Sequence, residues 1–108
     1  MVNSIKRLFG FGPMVNYKQL IREGAIILDV RTSEEFVAGH IEGAINIPVE
    51  KLRENLVSLA NKQGIIIACC TNGSKSWYAK NLLDSTGYRQ VYDGGSWTKL
   101  QRILVRNN

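Results

Sequence analysis

Hydrophobic and polar positions follow two alternating periods from Tyr17 onward, which predicts alternating helices and strands. Mostly apolar runs of strand length lie at 25–30, 44–47 and 65–70, and a shorter one lies at 90–92. The run Ile65–Cys70 is the most apolar of the four. It therefore predicts a central parallel strand that is covered on both of its faces.

Helical spacing and helix-boundary residues fill the intervals between these runs. Predicted helices cover 17–23, 32–38, 52–60, 76–86 and a final stretch that begins after Ser96. In the third of them, Leu52, Leu56 and Leu59 recur along one face. In the second, Thr32 and Glu35 have capping-box spacing. In the fourth, the apolar residues Trp77, Ala79, Leu82 and Leu83 are expected to be buried.

This alternation predicts one α/β domain of three layers, a parallel sheet with helices on both faces. Residues 14–108 are predicted to form the domain, and residues 1–13 a lead that is either flexible or packed on it. A length of 108 residues, with 44% apolar and 21% charged, is globular and excludes a disordered, collagen-like or disulfide-scaffold protein.

The cysteine and histidine content limits the chemistry. The only cysteines, Cys69 and Cys70, are adjacent, so we expect free thiols in a reducing compartment and a cytoplasmic protein. With His40 as the only histidine, the sequence has no metal-ligand spacing, and we predict no metal and no cofactor. No apolar run approaches the roughly 18 residues of a membrane span, so no transmembrane segment is predicted.

The formal net charge of +5 is unevenly distributed. Residues 1–60 hold seven basic and seven acidic side chains, whereas residues 61–108 hold seven basic and two acidic ones. The basic half favours small anions as ligands. It has no dense basic run interleaved with aromatic residues, so nucleic acid is not a predicted partner.

The candidate chemistry lies in the loop after the central strand. Because Cys70 ends that strand next to a helix N-terminus, unpaired N–H groups and the helix dipole should favour its thiolate. Gly73 permits a positive φ, so that successive N–H groups can form an anion nest. We predict Cys70 as the nucleophile, with an anion-binding loop that follows it: Thr71, Asn72, Gly73, Ser74, Lys75 and Ser76. Cys69 should point to the opposite face of the sheet, as a core residue.

Other polar residues are predicted to support the site. Asp29 and Arg31 close the first long strand at the same sheet edge, and Arg31 can pair with Asp29 or with Glu35. These three residues are expected to brace the loops, the alternative being direct contact with the substrate. A Cys–His dyad with His40 is possible in principle, but a nest-activated thiolate needs no base, so His40 is expected to be structural. Trp97 is expected to anchor the core or to form a wall of the pocket.

Several spaced motifs resemble those of the rhodanese-like domain family, in order and over roughly residues 17–104. The residues that carry the resemblance are Leu28-Asp29-Val30-Arg31, Glu35-Phe36, Gly39-His40-Ile41, Gly43-Ala44, Asn46-Ile47-Pro48, the Cys70-x-x-Gly73 loop, Gly87-Tyr88, Val91-Tyr92-Asp93-Gly94-Gly95 and Trp97. The resemblance implies a five-stranded parallel sheet, with the additional edge strand near Met14-Val15.

The resemblance also implies a sulfurtransferase. In such an enzyme Cys70 would take a sulfane sulfur from thiosulfate or a persulfide donor, and its persulfide would pass that sulfur to cyanide, a thiol or a protein acceptor. The expected partners are thus a small sulfur-containing anion, a thiol acceptor and a possible protein donor or acceptor. The family's matching histidine supports the fold, which agrees with the structural role expected for His40.

Two loop positions depart from the family's usual pattern. Active loops often carry arginine where this chain has Thr71 and Lys75, so we expect a weaker hold on thiosulfate. A low-turnover sulfur-relay or protein-binding module is therefore the alternative function. A cysteine phosphatase is disfavoured, because the arginine of its Cys-x5-Arg loop would fall at Ser76, and the basic residue comes one position earlier.

Overall fold

A parallel β-sheet forms the centre of the molecule. The computed structural model describes residues 15–59 and 61–106, and residues 1–13 lie outside this range. Within it the sheet has four strands in the order β2-β1-β3-β4, and every neighbouring pair is parallel. The strands are β1 (Ile26–Asp29), β2 (Ile45–Asn46), β3 (Ile65–Cys70) and β4 (Gln90–Ser96). The predicted α/β architecture is confirmed.

Helices cover both faces of this sheet and complete the three layers. They are α1 (Tyr17–Arg22), α2 (Ser33–Ala38), two 3-10 helices (Val49–Lys51 and Arg53–Leu59), α3 (Ser74–Ser85) and α4 (Trp97–Val105). Apolar residues of α3 and of the second 3-10 helix pack on one face, and those of α1 and α4 pack on the other. None of the helices in the described part of the chain is long and apolar enough to cross a membrane.

Strand β3 is buried along its whole length, as its apolar run predicts. Because side chains alternate between the faces of a strand, Ile66, Ala68 and Cys70 join the core on the α3 side. Ile67 and Cys69 join the core on the α1 and α4 side. The two cysteines therefore lie in different environments, although they are neighbours in sequence.

The expectation of a fifth strand is wrong for the described residues. Met14 lies outside them, and Val15 is described and belongs to no strand. Asn16 follows at once as the N-cap of α1, and its Oδ1 atom accepts a hydrogen bond of 3.0 Å from the N–H of Gln19. The backbone at this point is therefore already turning into α1, and the sheet keeps the four strands that the apolar pattern predicts.

The helix predicted over 52–60 is also wrong in type. Its leucine face is confirmed, since Leu52 and Leu59 are buried and Leu56 packs against them. However, the segment forms 3-10 turns with non-helical dihedral angles at Asn55 (φ −117°, ψ 20°). The Asn55 side chain donates a 2.7 Å hydrogen bond to the carbonyl of Lys51, the group that an α-helix would pair with the Asn55 N–H.

Strand β4 extends beyond the predicted run at 90–92, because pairing with β3 continues through Asp93 and Gly95 to Ser96. Ala68 pairs with Asp93 and Cys69 pairs with Gly95, so Gly94 is the extra residue of a β-bulge. A Cβ atom at Gly94 would lie 2.9 Å from Ile67 Cγ2 and 3.0 Å from the Ala68 carbonyl oxygen. Glycine is therefore required at this close approach between the two strands.

One predicted core residue is exposed. In α3, Ala79, Leu82 and Leu83 are buried as predicted, but Trp77 is 62% exposed. The helix begins at Ser74, two residues earlier than predicted, and Ser76 takes a buried position in its first turn. The neighbouring Trp77 is consequently directed outward, because successive helix positions are about 100° apart.

Candidate active site

Cys70 lies at the junction of β3 and α3 with its sulfur turned toward backbone amides. The Gly73 N–H donates to Cys70 Sγ over 3.0 Å, and the Ser76 N–H donates to it over 3.3 Å. Gly73 is the N-cap of α3 and adopts φ +94°, a left-handed conformation that favours glycine. Since the N-cap residue Gly73 has no side chain, the sulfur occupies the place of its capping oxygen and accepts two of the free donors at the helix start.

The environment of Cys70 combines this polar cap with an apolar wall. The residue is 1% exposed and belongs to the core cluster on the α3 side. A negative charge on its sulfur would lie at the positive end of the α3 dipole and would accept charge-assisted hydrogen bonds from the two amides. The arrangement can therefore stabilise a thiolate without a neighbouring base.

Asn72 and Ser74 of the loop bond to each other. Asn72 Oδ1 accepts hydrogen bonds from the Ser74 N–H (3.1 Å) and the Ser74 hydroxyl (2.9 Å). Thr71 and Asn72 are exposed. Of the loop amides, those of Gly73 and Ser76 contact Cys70 Sγ, and the Ser74 hydroxyl bonds Asn72 instead.

Ser76 is fully buried beside Cys70 and connects it to a residue that the sequence analysis did not assign to the site. Ser76 Oγ lies 3.5 Å from Cys70 Sγ and donates to Asp93 Oδ1 over 2.7 Å. Asp93 Oδ1 also accepts the N–H of Gly95 over 2.9 Å. The signal for Asp93 was available, because it follows the apolar run of β4 at the same sheet edge as Cys70.

Asp29 and Arg31 form a buried ion pair at the end of β1. The guanidinium contacts the carboxylate through two nitrogens, with Nε 2.9 Å from Oδ1 and a terminal nitrogen 2.7 Å from Oδ2. Arg31 also donates to the backbone carbonyls of Glu35 (3.3 Å) and Gly39 (2.7 Å). Of the two partners predicted for Arg31, the structure selects the Asp29 carboxylate, whose hydrogen bond raises the pKa of Arg31.

The Glu35 carboxylate closes the predicted capping box instead of pairing with Arg31. Its Oε1 atom accepts the Thr32 N–H over 3.0 Å, and the Thr32 hydroxyl oxygen accepts the Glu35 N–H over 3.2 Å. These bonds to Thr32 lower the pKa of Glu35, and the charge of Lys75 adds to the effect. Glu35 therefore stabilises the N-terminus of α2.

His40 and Trp97 have contacts that do not involve Cys70. The His40 ring is exposed, stacks on Phe36 with centroids 3.8 Å apart, and its Nδ1 atom lies 2.7 Å from the Phe36 carbonyl oxygen. The Trp97 ring packs against the core on the α4 side and lies 4.5 Å from the guanidinium carbon of Arg31. Among the described contacts, His40 therefore packs on α2 through Phe36, and Trp97 packs against Arg31 and the core.

Cys69 differs from Cys70 in its chemistry. Its side chain is fully buried on the other face of the sheet, and this burial raises its pKa to about 12. It is therefore a neutral thiol at physiological pH, with little capacity to act as a nucleophile.

A cavity of about 480 Å³ lies beside the Cys70 loop. Ser74 and Lys75 line it from the loop side, while Glu50, Arg53 and Glu54 line it from the 3-10 helices. Two acidic and two basic side chains therefore line the same cavity. Because their charges oppose each other, the cavity does not favour a simple anion.

The family model of the rhodanese-like domain matches residues 15–101. The chain belongs to the rhodanese-like domain family. Thiosulfate sulfurtransferase PspE of Escherichia coli K12 is 33% identical over 69 residues, which cover 63% of this chain and 66% of that protein. Thiosulfate sulfurtransferase GlpE of Pseudomonas fluorescens is 33% identical over 82 residues, which cover 73% of this chain and 74% of that protein.

Solved structures give the same family. A rhodanese from E. coli with bound anions superposes with a TM-score of 0.66 at 30% identity, over 69% of this chain and 89% of that chain. The human single-domain sulfurtransferase TSTD1 superposes with a TM-score of 0.68 at 25% identity, over 89% of this chain and 99% of that chain. The rhodanese-like fold thus agrees with the sheet order, the helices and the strand–loop–helix unit around Cys70.

Proposed function

We propose that this rhodanese-like protein is a sulfurtransferase that carries sulfane sulfur on Cys70. The observation that supports it most directly is the pair of amides, from Gly73 and Ser76, that donate to Cys70 Sγ at the N-terminus of α3. A thiolate held in this way is a nucleophile at neutral pH. The names of the sulfurtransferase relatives point to the same chemistry.

The proposed reaction has two displacements at sulfur. The Cys70 thiolate attacks the outer sulfur of thiosulfate, the S–S bond of the donor breaks, and sulfite leaves with the bonding electron pair. The resulting persulfide carries its charge on the terminal sulfur. A thiolate or cyanide acceptor then attacks that terminal sulfur, and Cys70 leaves as a thiolate. The two amides stabilise Cys70 Sγ whenever it carries charge, before the first step and after the second.

A low-turnover sulfur relay is the second candidate, and the charges beside the loop favour it. The cavity next to the loop places Glu50 and Glu54 in the same space as Lys75 and Arg53. Thr71 brings no charge, and Lys75 lacks the bidentate fork of arginine. The acidic side chains partly cancel the positive charge that would attract a dianion such as thiosulfate. The persulfide of a small thiol or of a protein is therefore the better sulfur donor.

Intact mass spectrometry tests the proposed function. After incubation with thiosulfate, and separately with a small-molecule persulfide, wild-type protein should gain one sulfur atom. Cys70→Ser should gain none, and Cys69→Ala, the matched control, should gain one as wild type does. Absence of the adduct with both donors would falsify the assignment.

Steady-state kinetics separates the two candidates. A thiosulfate:cyanide sulfurtransferase should turn over with ping-pong kinetics. A relay module should form the persulfide from a persulfide donor at least about tenfold faster than from thiosulfate, a difference of about 1.4 kcal/mol in activation free energy.

A chromogenic phosphate ester should not be hydrolysed, since the position of the phosphatase arginine holds the buried Ser76.

Two unpaired cysteines also support a reducing, cytoplasmic location for the proposed enzyme.

A further inference from the structure

We propose that Asp93 is a positioning residue that controls, through the Ser76 hydroxyl, how readily Cys70 loses its proton. This inference rests on the proposed function, because it concerns the ionisation of the nucleophile. The contacts that carry it form a continuous chain: Cys70 Sγ lies 3.5 Å from Ser76 Oγ, which lies 2.7 Å from Asp93 Oδ1.

The Ser76 hydroxyl has one proton and two acceptors within reach. Asp93 Oδ1 is 2.7 Å away, and the Gly73 carbonyl oxygen is 3.0 Å away. The carboxylate is both closer and charged, so it takes the proton in the stronger bond. Ser76 Oγ then has only lone pairs to present to Cys70 Sγ, and it accepts the S–H of the neutral thiol.

This arrangement opposes the two amides. The N–H groups of Gly73 and Ser76 favour the thiolate, whereas a hydroxyl oxygen that accepts from sulfur favours the thiol. The negative charge of Asp93 acts in the same direction as the hydroxyl oxygen. Asp93 therefore sets the balance between a protonated and an ionised Cys70, although it does not contact the sulfur.

Other charged and titratable groups near this chain are accounted for by their own partners. Asp29 is neutralised by Arg31 at the end of β1. Cys69, on the opposite face of β3, is neutral below a pKa of about 12. From α1, the Tyr17 hydroxyl donates to the backbone carbonyl of Asp93 over 3.2 Å, and it remains a phenol because burial raises its pKa. Lys75 lies in the loop and lines the adjacent cavity.

The test is the pH dependence of thiolate formation at Cys70, followed by the ultraviolet absorbance of the thiolate. Each protein is titrated beside its own Cys70→Ser version, whose absorbance is subtracted. Asp93→Asn keeps an oxygen that can accept from Ser76 and Gly95 but removes the charge. We expect its titration midpoint to lie about one pH unit below that of wild type, which is roughly a tenfold larger thiolate fraction at a pH below both midpoints.

Two further variants show whether the effect passes through the hydroxyl. Asp84→Asn removes an equal charge at an exposed position paired with Lys80 and should leave the midpoint unchanged. In a Ser76→Ala background, the shift caused by Asp93→Ser, which removes the carboxylate acceptor as well as the charge, should fall to less than half of its size with Ser76 present. A full shift in that background overturns the relay through Ser76.

An unchanged midpoint in Asp93→Asn overturns the whole inference and leaves Asp93 with its structural bond to Gly95. Circular dichroism and thermal unfolding show which variants are folded. Asp93→Ser, which removes the same charge, provides a second test with the same expected direction. The sulfur adduct on wild type is measured separately, so that failure of the proposed transfer and failure of this inference are distinguishable.

Discussion

At the scale of the residue, two adjacent cysteines of one strand have different chemistry because strand geometry sends them to opposite faces. Cys70 meets the N–H groups at the start of α3, whereas Cys69 is enclosed by apolar side chains. The alternation that separates them is readable from the sequence. The identity of the sulfur's donors is not, because it depends on how the loop turns.

Gly73 offers the most direct test of that turn. Its φ of +94° disfavours a side chain, so Gly73→Ala should destabilise the fold by about 1 kcal/mol and displace the N–H that contacts Cys70 Sγ. Sulfur transfer to a thiol acceptor should fall by about a hundredfold, the lower end of the effect of losing one stabilising donor.

Gly24→Ala is the matched control for this change. Gly24 has φ +97° and no atom within 4 Å of an added Cβ, so the backbone strain is similar, and it lies after α1. It should lower the melting temperature by a comparable amount and leave the transfer rate as in wild type. Equal loss of activity in both variants would show that general destabilisation, not the lost amide, explains the result.

Cys69 makes a prediction for alkaline stability. Its pKa is about 12 in the folded protein and 9.0 for an unperturbed thiol, so the unfolded chain releases this proton at a lower pH. The contribution of Cys69 to the free energy of unfolding is therefore fully present below about pH 9. It is lost as the pH rises from 9 toward 12. Chemical denaturation across this range should give a steeper decline for wild type than for Cys69→Ala, both of which keep Cys70. Parallel curves would contradict the assigned burial effect.

At the scale of the element, local signals predicted boundaries better than helix type. The capping box of Thr32 and Glu35 sets the start of α2, and Ser96 caps α4, as their sequence positions indicate. The leucine spacing around Leu56 predicted the buried face correctly but not the 3-10 backbone, because burial periodicity does not report that the Asn55 side chain takes the Lys51 carbonyl. Likewise the bulge at Gly94 depends on pairing with β3, a contact between residues distant in sequence.

The capping box itself can be tested by Thr32→Ala. Loss of the hydroxyl that accepts the Glu35 N–H should destabilise the protein by about 1 kcal/mol, measured by urea denaturation. Ser33→Ala is the control, because the Ser33 hydroxyl contacts only the exposed Glu34 carboxylate among the described hydrogen bonds. A difference below about 0.3 kcal/mol between the two variants would indicate that the cap adds little to α2 beyond its packing.

At the scale of the whole molecule, the surroundings of Cys70 are assembled from the carboxyl ends of β3 and β1 and from the bulged segment of β4. β3 supplies Cys70, the proposed nucleophile, β4 supplies Asp93, and β1 leads into the Asp29–Arg31 pair. The parallel order β2-β1-β3-β4 brings these ends to one side, as expected for an α/β sheet. This explains why the sequence alone could place Cys70, Asp29 and Arg31 on one side of the sheet, whereas the link from Ser76 to Asp93 required the structure.

Arg31 connects several of these elements, and this connection distinguishes a structural from a substrate-binding role. Its guanidinium bonds Asp29 on β1, the carbonyls of Glu35 and Gly39 around α2, and lies over Trp97 on α4. Arg31→Lys keeps the charge but cannot make all of these contacts from one ammonium group, and the pair is buried, so we expect a loss of about 2 kcal/mol in the free energy of unfolding.

The same variant should leave catalysis of the folded fraction nearly intact, because none of the described hydrogen bonds of Arg31 reaches the Cys70 loop. Measured well below the melting temperature of the variant, kcat and KM for the sulfane donor should both stay within about twofold of wild type, whereas loss of a charged contact to the donor would raise KM by about tenfold or more. A rise in KM with little change in stability would show that Arg31 binds the donor anion. A fall in melting temperature with unchanged KM would show instead that Arg31 stabilises the packing of β1, α2 and α4.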